Sequence, residues 1–257
     1  MRTALTIAGS DSGGGAGIQA DLKTFAAHGV FGTSAITAIT AQNTLGVTAW
    51  EPVSAPLVSA QIDAVAADIG ADAVKTGMLA NVEIVRAVVS ALRRLRLPHL
   101  VVDPVMIAKG GDRLLEEAAV AAIRDELLPL AEVATPNIPE AEVLSGLSIT
   151  NLDGMRRAAQ RILTMGPRVV LVKGGHLETD ESVDIACARE GHEEFRSPRI
   201  ASVHTHGTGC TLASAIAANL AVGLEQMEAI RRAKSYVTEA IRRAPGIGRG
   251  HGPLGHF

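Results

Sequence analysis

The sequence predicts an α/β fold in three layers, with a mostly parallel central sheet covered by helices on both faces. Short apolar runs rich in β-branched residues alternate with longer segments whose apolar residues recur at three- and four-residue spacing. Such alternation predicts parallel strands joined by right-handed helical crossovers. A length of 257 residues suits one domain of this class, and no long linker interrupts it. We therefore predict a single domain over residues 1–257.

Six strands and eight helices account for most of the chain. The predicted strands are residues 4–8, 34–40, 73–75, 100–103, 133–135 and 169–173. The predicted helices are residues 16–28, 56–69, 81–96, 116–128, 137–145, 151–165, 207–223 and 225–243. Residues 182–197 break the alternation and predict a small β-hairpin that turns at residues 189–191.

Composition argues against several classes of protein. The formal net charge is −3 and aromatic residues make up only 2% of the chain, which disfavours nucleic-acid binding by counterion displacement or base stacking. No apolar run approaches the length of a membrane span, so we predict no membrane partner. Cys187 and Cys210 have no metal-binding spacing and cannot form a disulfide framework, which fits a reducing cytoplasm.

Polar and glycine residues follow the predicted strands. The strands end in TIAGSD, VKTGM, VVDPVM, VATPN and LVKGG. In open α/β sheets, ligands bind outside the carboxyl ends of the strands. Any one of these ends could be ordinary turn chemistry, but together they predict a ligand site at that edge.

Lysine is rare in this chain, where only five of the 24 basic residues are Lys. Three of the five, Lys75, Lys109 and Lys173, lie close to a glycine. This placement arises either from loop composition or from contact with phosphate oxygens, which a compact ammonium binds as a point charge.

Two glycine-rich segments each precede a helix. Residues 9–22 (GSDSGGGAGIQADL) contain neither a dinucleotide fingerprint nor a P-loop, so they form either a tight turn or a close backbone approach to a small ligand. In the second segment, Gly207, Thr208, Gly209 and Cys210 open an apolar helix whose free N–H groups predict an anion site. The alternative makes Thr208 an N-cap and Cys210 a small buried apolar residue.

Carboxylates also follow two of the strands. Asp103 ends one strand, while Asn137 and Glu140 have the spacing of a helix capping box. Asp103 and Glu140 could instead bind Mg²⁺, which is coordinated by few carboxylates together with water and substrate phosphates.

Seven segments, in order along nearly the whole chain, resemble one family. They are GSDSGGGAGIQADLKTF, ITAITAQNTLGV, VKTGML, DPVMIAKGG, TPNIPEAE, VKGGH and THGTGCTLASAI. They are similar to the hydroxymethylpyrimidine/phosphomethylpyrimidine kinases of thiamine biosynthesis, which have the ribokinase-like fold. His204 stands where the family commonly has Asn, and this departure concerns local loop contacts.

The resemblance implies two transfers of the γ-phosphoryl group of ATP. The first acceptor would be the hydroxymethyl oxygen of 4-amino-5-hydroxymethyl-2-methylpyrimidine, and the second would be the resulting monophosphate. Gln42 would bind the ring in a pocket shaped by Gly9, Met78 and Val105. Asp103 and Glu140 would bind Mg²⁺, and Lys173 would offset phosphate charge. The residues that would bind the nucleotide are Asn137, Thr205 and Lys234. The transferring group would be stabilised by the amides of Gly207, Thr208, Gly209 and Cys210.

Cys210 stands where sugar kinases of the wider fold carry an Asp base. A thiol pKa lowered by the helix N-terminus would let Cys210 accept the proton of the alcohol in the first transfer. The second acceptor is already charged and requires no base. On this hypothesis, Cys210→Ala slows the first transfer much more than the second.

Other functions remain as alternatives. The nearest is a pyridoxal or pyridoxine kinase of the same fold, because its substrate is another hydroxymethyl heteroaromatic ring. A non-catalytic pyrimidine-binding protein would consume no ATP, and a Rossmann dehydrogenase is disfavoured by the missing fingerprint. The resemblance also implies a homodimer, although no residue pattern in the sequence demonstrates one.

Overall fold

A computed structural model describes residues 1–106, 116–175 and 181–257. Its strands are β1 (Thr3–Asp11), β2 (Phe31–Asn43), β3 (Gly46–Pro52), β4 (Ala73–Thr76), β5 (Leu100–Val102), β6 (Val133–Ala134), β7 (Val169–Val172), β8 (Glu181–Ala188) and β9 (Gly191–Pro198). They form one sheet in the order β3-β2-β1-β4-β5-β6-β7-β8-β9. The strands from β2 to β7 in that order are parallel, whereas β3, β8 and β9 add antiparallel edges.

The helices cover both faces of the sheet. They are α1 (Gly17–Ala27), α2 (Ala55–Asp68), α3 (Val82–Leu95), α4 (Glu117–Ala122), α5 (Ile138–Ser145), α6 (Leu152–Leu163), α7 (Thr208–Ala221) and α8 (Gln226–Arg242). Helices α2 to α6 contribute to one apolar cluster, and α1, α7 and α8 contribute to the other. The predicted three-layer α/β architecture is therefore confirmed.

Helix α7 lies in the core because nearly all its residues are small or aliphatic. Every residue from Thr211 to Ala221 is buried, including Ser214 and Asn219. Small side chains let a helix lie close to the sheet and to its neighbours, here α1 and α8. This close packing fixes the N-terminus of α7 against the carboxyl edge of the sheet.

Most predicted elements are present, although β5, β6 and β7 each end one residue before the predicted end. Strands β1 and β2 extend beyond the predicted residues 4–8 and 34–40, and the hairpin near residues 182–197 is confirmed as β8 and β9. Strand β3 was not predicted, because it is exposed along its whole length and so carries no apolar pattern. The predicted helix at residues 116–128 is α-helical only to Ala122 and continues as a π-helical turn and a 3₁₀ turn.

Across the three described ranges, no helix combines the length and the apolar character needed to cross a membrane.

Candidate active site

The carboxyl ends of three central strands bring a charged pair together. Asp103 follows β5, and its Oδ1 accepts a hydrogen bond from Lys173 Nζ at 2.7 Å, just beyond β7. Thr135, beyond β6, also donates to Asp103 Oδ1, at 3.2 Å. The Asp103 side chain is 2% exposed and that of Lys173 is 14% exposed. Because burial strengthens such a pair, it holds both groups in place at the edge predicted for a ligand.

The start of α5 adds a second carboxylate. Asn137 Oδ1 accepts from the Glu140 N–H at 2.9 Å, and Glu140 Oε2 accepts from the Asn137 N–H at 2.7 Å, so the predicted capping box is present. Burial raises the pKa of Glu140 to about 7, against the opposing effect of Lys173. Asp103 adds to the rise, because two nearby carboxylates repel each other.

These carboxylates are compatible with Mg²⁺. No group of three or more His, Cys, Asp or Glu residues that could hold a metal is found in the described parts of the chain. Mg²⁺, however, keeps several waters and uses one or two carboxylates together with substrate phosphates. A cation beside Glu140 would offset both the burial of its charge and the repulsion from Asp103, so the donor set fits the ion.

The N-terminus of α7 lies against the same edge. Gly207 is the N-cap with φ of 81°, and a Cβ there would overlap the carbonyl oxygen of Gly15. A Cβ on Gly209 would lie 3.3 Å from Lys173 Nζ, which shows how closely the helix start approaches this lysine. Thr208 is the first residue of α7 and not its N-cap. Its hydroxyl donates to the Thr205 carbonyl oxygen at 2.8 Å. Helix amides and an ammonium group thus converge on one place.

Cys210 is half-buried in the first turn of α7. Its sulfur accepts a hydrogen bond from the Gly17 N–H at the start of α1. Burial nevertheless raises the pKa of the thiol to about 11; Lys75 opposes the rise, and Asp21 and Asp103 add to it. The expectation that the helix N-terminus lowers this pKa is therefore wrong. The cost of burying a thiolate near two carboxylates exceeds the gain from the helix ends.

The predicted ring-binding residues lie on β1, β2 and the turns after β4 and β5. A Cβ on Gly9 would lie 3.5 Å from Met78 Sδ, so these two residues are neighbours. Val105 is half-buried, and its N–H donates to the Asp103 carbonyl oxygen at 2.9 Å. Gln42 lies near the end of β2, where its amide is next to His206.

Lys234 on α8 forms an ion pair with a carboxylate on β8. Its Nζ lies 2.8 Å from Asp184 Oδ2 and 3.0 Å from Ser182 Oγ. The other oxygen of Asp184 accepts from the Gly174 N–H, next to Lys173. Lys234 is thus linked to the turn after β7 through Asp184, and its charge already has a partner.

The sequence analysis did not identify two residues, Asp11 and His206, that contact each other beside Gln42. Asp11, at the end of β1, accepts hydrogen bonds from the Gly13, Gly15 and Ala16 N–H groups and lies 2.8 Å from His206 Nε2. The position of Asp11 at a strand end was an available signal. His206 lies in the THGTGC segment, but no spacing rule connects it to a carboxylate 195 residues away.

Lys75 does not contact the site as a free ammonium. It is fully buried and paired with Asp21 at 2.8 Å, so its position beside a glycine does not reflect phosphate binding. Asp21 also accepts hydrogen bonds from Thr6 and Ser214. Lys109 lies outside the described residues.

Known proteins are similar in sequence to nearly the whole chain. The family described as phosphomethylpyrimidine kinase matches residues 11–255. A hydroxymethylpyrimidine/phosphomethylpyrimidine kinase from Synechococcus elongatus is 52% identical over 99% of this chain and 97% of its own length. A thiamine biosynthesis bifunctional protein from Geobacter sulfurreducens is 54% identical over 98% of this chain, which spans 52% of that protein.

Solved structures agree with this assignment. A phosphomethylpyrimidine kinase from Clostridium difficile has a TM-score of 0.84 and 48% identity, and the match covers 94% of this chain and all of that one. An ADP complex of a pyridoxal kinase from Bacillus subtilis has a TM-score of 0.94 and 40% identity, covering 100% of this chain and 97% of that one. With the N-terminus of α7 and the buried Asp103–Lys173 pair at one sheet edge, these matches show that the chain belongs to the phosphomethylpyrimidine kinase family.

Proposed function

We propose that this chain transfers the γ-phosphoryl group of ATP to 4-amino-5-hydroxymethyl-2-methylpyrimidine and then to the resulting monophosphate. The observation that carries the proposal is the approach of the α7 N-terminus to Lys173, which is itself paired with Asp103. Phosphoryl transfer requires mainly positioning and charge stabilisation. Fixed amides and an ammonium group at one place supply both.

Each group at the edge has a part in this chemistry. The N–H groups at the start of α7, from Gly207 to Cys210, donate to the oxygens of the group in transfer, and Lys173 offsets their charge. Asn137 forms a β-bridge with Lys173, Thr205 precedes α7, and Lys234 is linked through Asp184 to the turn after β7. In this proposal all three orient the nucleotide. Gln42, Gly9, Met78 and Val105 bind the ring and present its hydroxymethyl oxygen.

Asp103 and Glu140 would hold Mg²⁺. When bound, the ion supplies positive charge to the phosphate oxygens. The buried Glu140 carboxyl has a pKa of about 7, so it would have to lose its proton to hold the ion at or below neutral pH. Lys173 fixes Asp103 Oδ1, which leaves Oδ2 as the oxygen next to Gly209.

Cys210 acts as a protonated thiol in this proposal. With a pKa of about 11, it holds its own proton at neutral pH and cannot accept one from the alcohol. Its place at the starts of both α1 and α7 suits packing against the substrate. The proton of the alcohol then leaves with the phosphate oxygens or through water.

A pyridoxal kinase is the second candidate, because the Bacillus subtilis structure matches over 100% of this chain. One experiment separates the candidates: purified protein is incubated with Mg-ATP and either ring, and the products are resolved over time. We expect the pyrimidine monophosphate to appear first and the diphosphate later. Phosphate transfer to pyridoxal alone would select the second candidate, and no ATP consumption with either ring would select a non-catalytic pyrimidine-binding protein.

We also propose that the chain forms a homodimer through the exposed edge strand β3. Val47 and Trp50 on β3, with Leu45 in the turn before it, are 42%, 40% and 67% exposed. An edge strand with exposed apolar side chains favours association. Light scattering is expected to give the mass of two chains, and Trp50→Glu to give the mass of one. Val222→Glu, a change at an exposed apolar residue after α7, is expected to keep the dimer.

A further inference from the structure

Asp11 is surrounded by hydrogen-bond donors. Its Oδ1 accepts from the Gly13 N–H at 2.8 Å, and its Oδ2 accepts from the Gly15 and Ala16 N–H groups at 3.0 and 2.8 Å. Burial alone would raise the pKa of Asp11, but hydrogen bonds from His206 and from the Ala16 and Gly13 amides outweigh it and lower the pKa. Asp11 is therefore a carboxylate, which can only accept hydrogen bonds.

This carboxylate determines which atom of His206 carries a proton. His206 Nε2 lies 2.8 Å from Asp11 Oδ2 and must be the donor, whether the ring is neutral or charged. The main chain of His206 is held as well, because its N–H donates to the Gly252 carbonyl oxygen at 3.1 Å. His206 thus presents a fixed N–H at the side of the ring that faces Gln42.

Gln42 has a fixed backbone and an amide with two orientations. Ser12 Oγ donates to the Gln42 carbonyl oxygen and accepts from the Gln42 N–H, at 2.7 and 2.8 Å. In the orientation shown by the structure, the amide nitrogen Nε2 lies 3.4 Å from His206 Nε2. The amide oxygen Oε1 lies 3.2 Å from Thr40 Oγ1. A half-turn of the amide exchanges nitrogen and oxygen at the same positions, so the partners decide between the two orientations.

The positions of the protons on Thr40 and His206 favour the Gln42 amide after this half-turn. Thr40 Oγ1 donates its single proton to the Ser10 carbonyl oxygen at 2.8 Å and therefore can only accept from Gln42. His206 Nε2 carries a proton and can only donate. The Gln42 oxygen thus belongs next to His206, where it shares the Nε2 proton with Asp11. The Gln42 nitrogen belongs next to Thr40, and its second N–H remains available for a ligand.

We propose that His206, held by Asp11, is a positioning residue that orients the Gln42 amide, so that the pocket selects a ring with an unprotonated nitrogen acceptor. This inference rests on the proposed function, because it assigns the ring to the Gln42 pocket. His206 acts through Gln42 rather than on the reacting atoms. Its removal should therefore reduce discrimination between rings more than it reduces the rate of phosphoryl transfer.

The test compares two ligands by calorimetry without ATP. One is the aminopyrimidine, and the other has C–H in place of the ring nitrogen beside the amino-bearing carbon. Wild-type protein is expected to bind the second ligand about tenfold more weakly, the scale of one hydrogen bond. His206→Phe and Gln42→Leu should reduce this ratio to near one. His206→Gln, whose amide N–H can replace Nε2–H, should restore most of it.

His204→Phe, in the same loop, is the matched control and should keep the wild-type ratio. A ratio unchanged by His206→Phe would overturn this inference alone, whereas binding of neither ring by wild type would overturn the proposed function and the inference with it. Nitrogen NMR of the ligand-free wild-type protein is a second test that does not depend on a variant's folding. An unprotonated Nε2 on His206 would overturn the inference, and a protonated one supports it.

Discussion

Lys75 and Asp21 form an ion pair from which water is excluded. Lys75 Nζ lies 2.8 Å from Asp21 Oδ2, and both side chains are 0% exposed. Ser214 and Thr6 each donate to Asp21 at 2.6 Å, so the pair joins β4, α1, α7 and β1. This cluster ties α1 and α7 to the sheet, where the charge of Lys75 also acts on Cys210 and Asp103.

Breaking this pair should destabilise the protein strongly. Lys75→Met leaves the Asp21 charge buried with only two hydroxyl partners, and we expect a loss of about 3–5 kcal/mol in the free energy of unfolding. Urea unfolding followed by circular dichroism measures it. The control is Arg94→Met, which breaks an exposed pair with Asp63 and should cost less than about 1 kcal/mol. A similar loss in both variants would contradict the role given to burial.

Cys210→Ala should slow both phosphoryl transfers to a similar extent. Since burial raises the pKa of the thiol to about 11, little thiolate exists at neutral pH, and the loss should reflect packing alone. We expect the rate of each step to fall by less than about tenfold, whereas the loss of a general base lowers a rate by roughly 10²–10⁴-fold. Single-turnover formation of monophosphate and diphosphate measures the two rates.

Cys187→Ala is the matched control for this measurement. Cys187 is buried in β8, away from the start of α7, and its removal should leave the ratio of the two rates unchanged. If Cys210→Ala slowed the first transfer a hundredfold or more and spared the second, the base hypothesis would be restored.

The sequence was sufficient for the layers of the fold and for the strand ends, but not for contacts between distant residues. Periodicity and the ends of apolar runs placed Asp103 and Lys173 at the carboxyl ends of two strands, which the sheet separates by β6, and the structure joins the two side chains at 2.7 Å. Nothing local predicts that Asp21 would bury its carboxylate against Lys75, 54 residues away. Such pairing depends on how helices pack on the sheet, which a spacing rule does not describe.

The same limit explains the error over the Cys210 pKa. A helix N-terminus is visible in the sequence, and alone it lowers a thiol pKa. The depth of burial and the neighbouring Asp21 and Asp103 act in the opposite direction, and these follow only from three-dimensional packing. The unpredicted strand β3 shows the converse case, since its exposed residues carry no periodic signal.

Mg²⁺ binding should depend on pH through Glu140. The carboxyl has a pKa of about 7, raised above its ordinary value of 4.5, so it is protonated below pH 7 and must lose that proton to bind a cation. We expect the Mg²⁺ affinity measured with a non-hydrolysable ATP analogue to fall as pH decreases, approaching about tenfold per pH unit well below pH 7. Calorimetry in two buffers counts the protons released.

Glu140→Gln should bind Mg²⁺ more weakly and lose this part of the pH dependence. Comparison of the two proteins removes the contribution of the nucleotide phosphates, which titrate in both. Glu142→Gln, on the same helix, is the control and should behave as wild type. An equally steep pH dependence of Mg²⁺ affinity in Glu140→Gln would show that Glu140 does not bind the ion.

The C-terminal segment 250–256 should hold the ring-binding side of the site rather than the nucleotide side. The His251 N–H donates to the Thr44 carbonyl oxygen at 2.9 Å, and the Gly252 carbonyl oxygen accepts from the His206 N–H. A Cβ at residue 250 would overlap the Thr44 carbonyl oxygen, so Gly250→Ala should push the segment away from the turn that follows Gln42. We expect the KM for the ring to rise about tenfold, as for one lost hydrogen bond, with little change in the KM for ATP.

Steady-state kinetics with each substrate varied in turn gives both values, and deletion of the exposed Phe257 serves as the control. An equal rise in both KM values would show instead that the segment supports the whole site, because then the disturbance would extend beyond the Gln42 side.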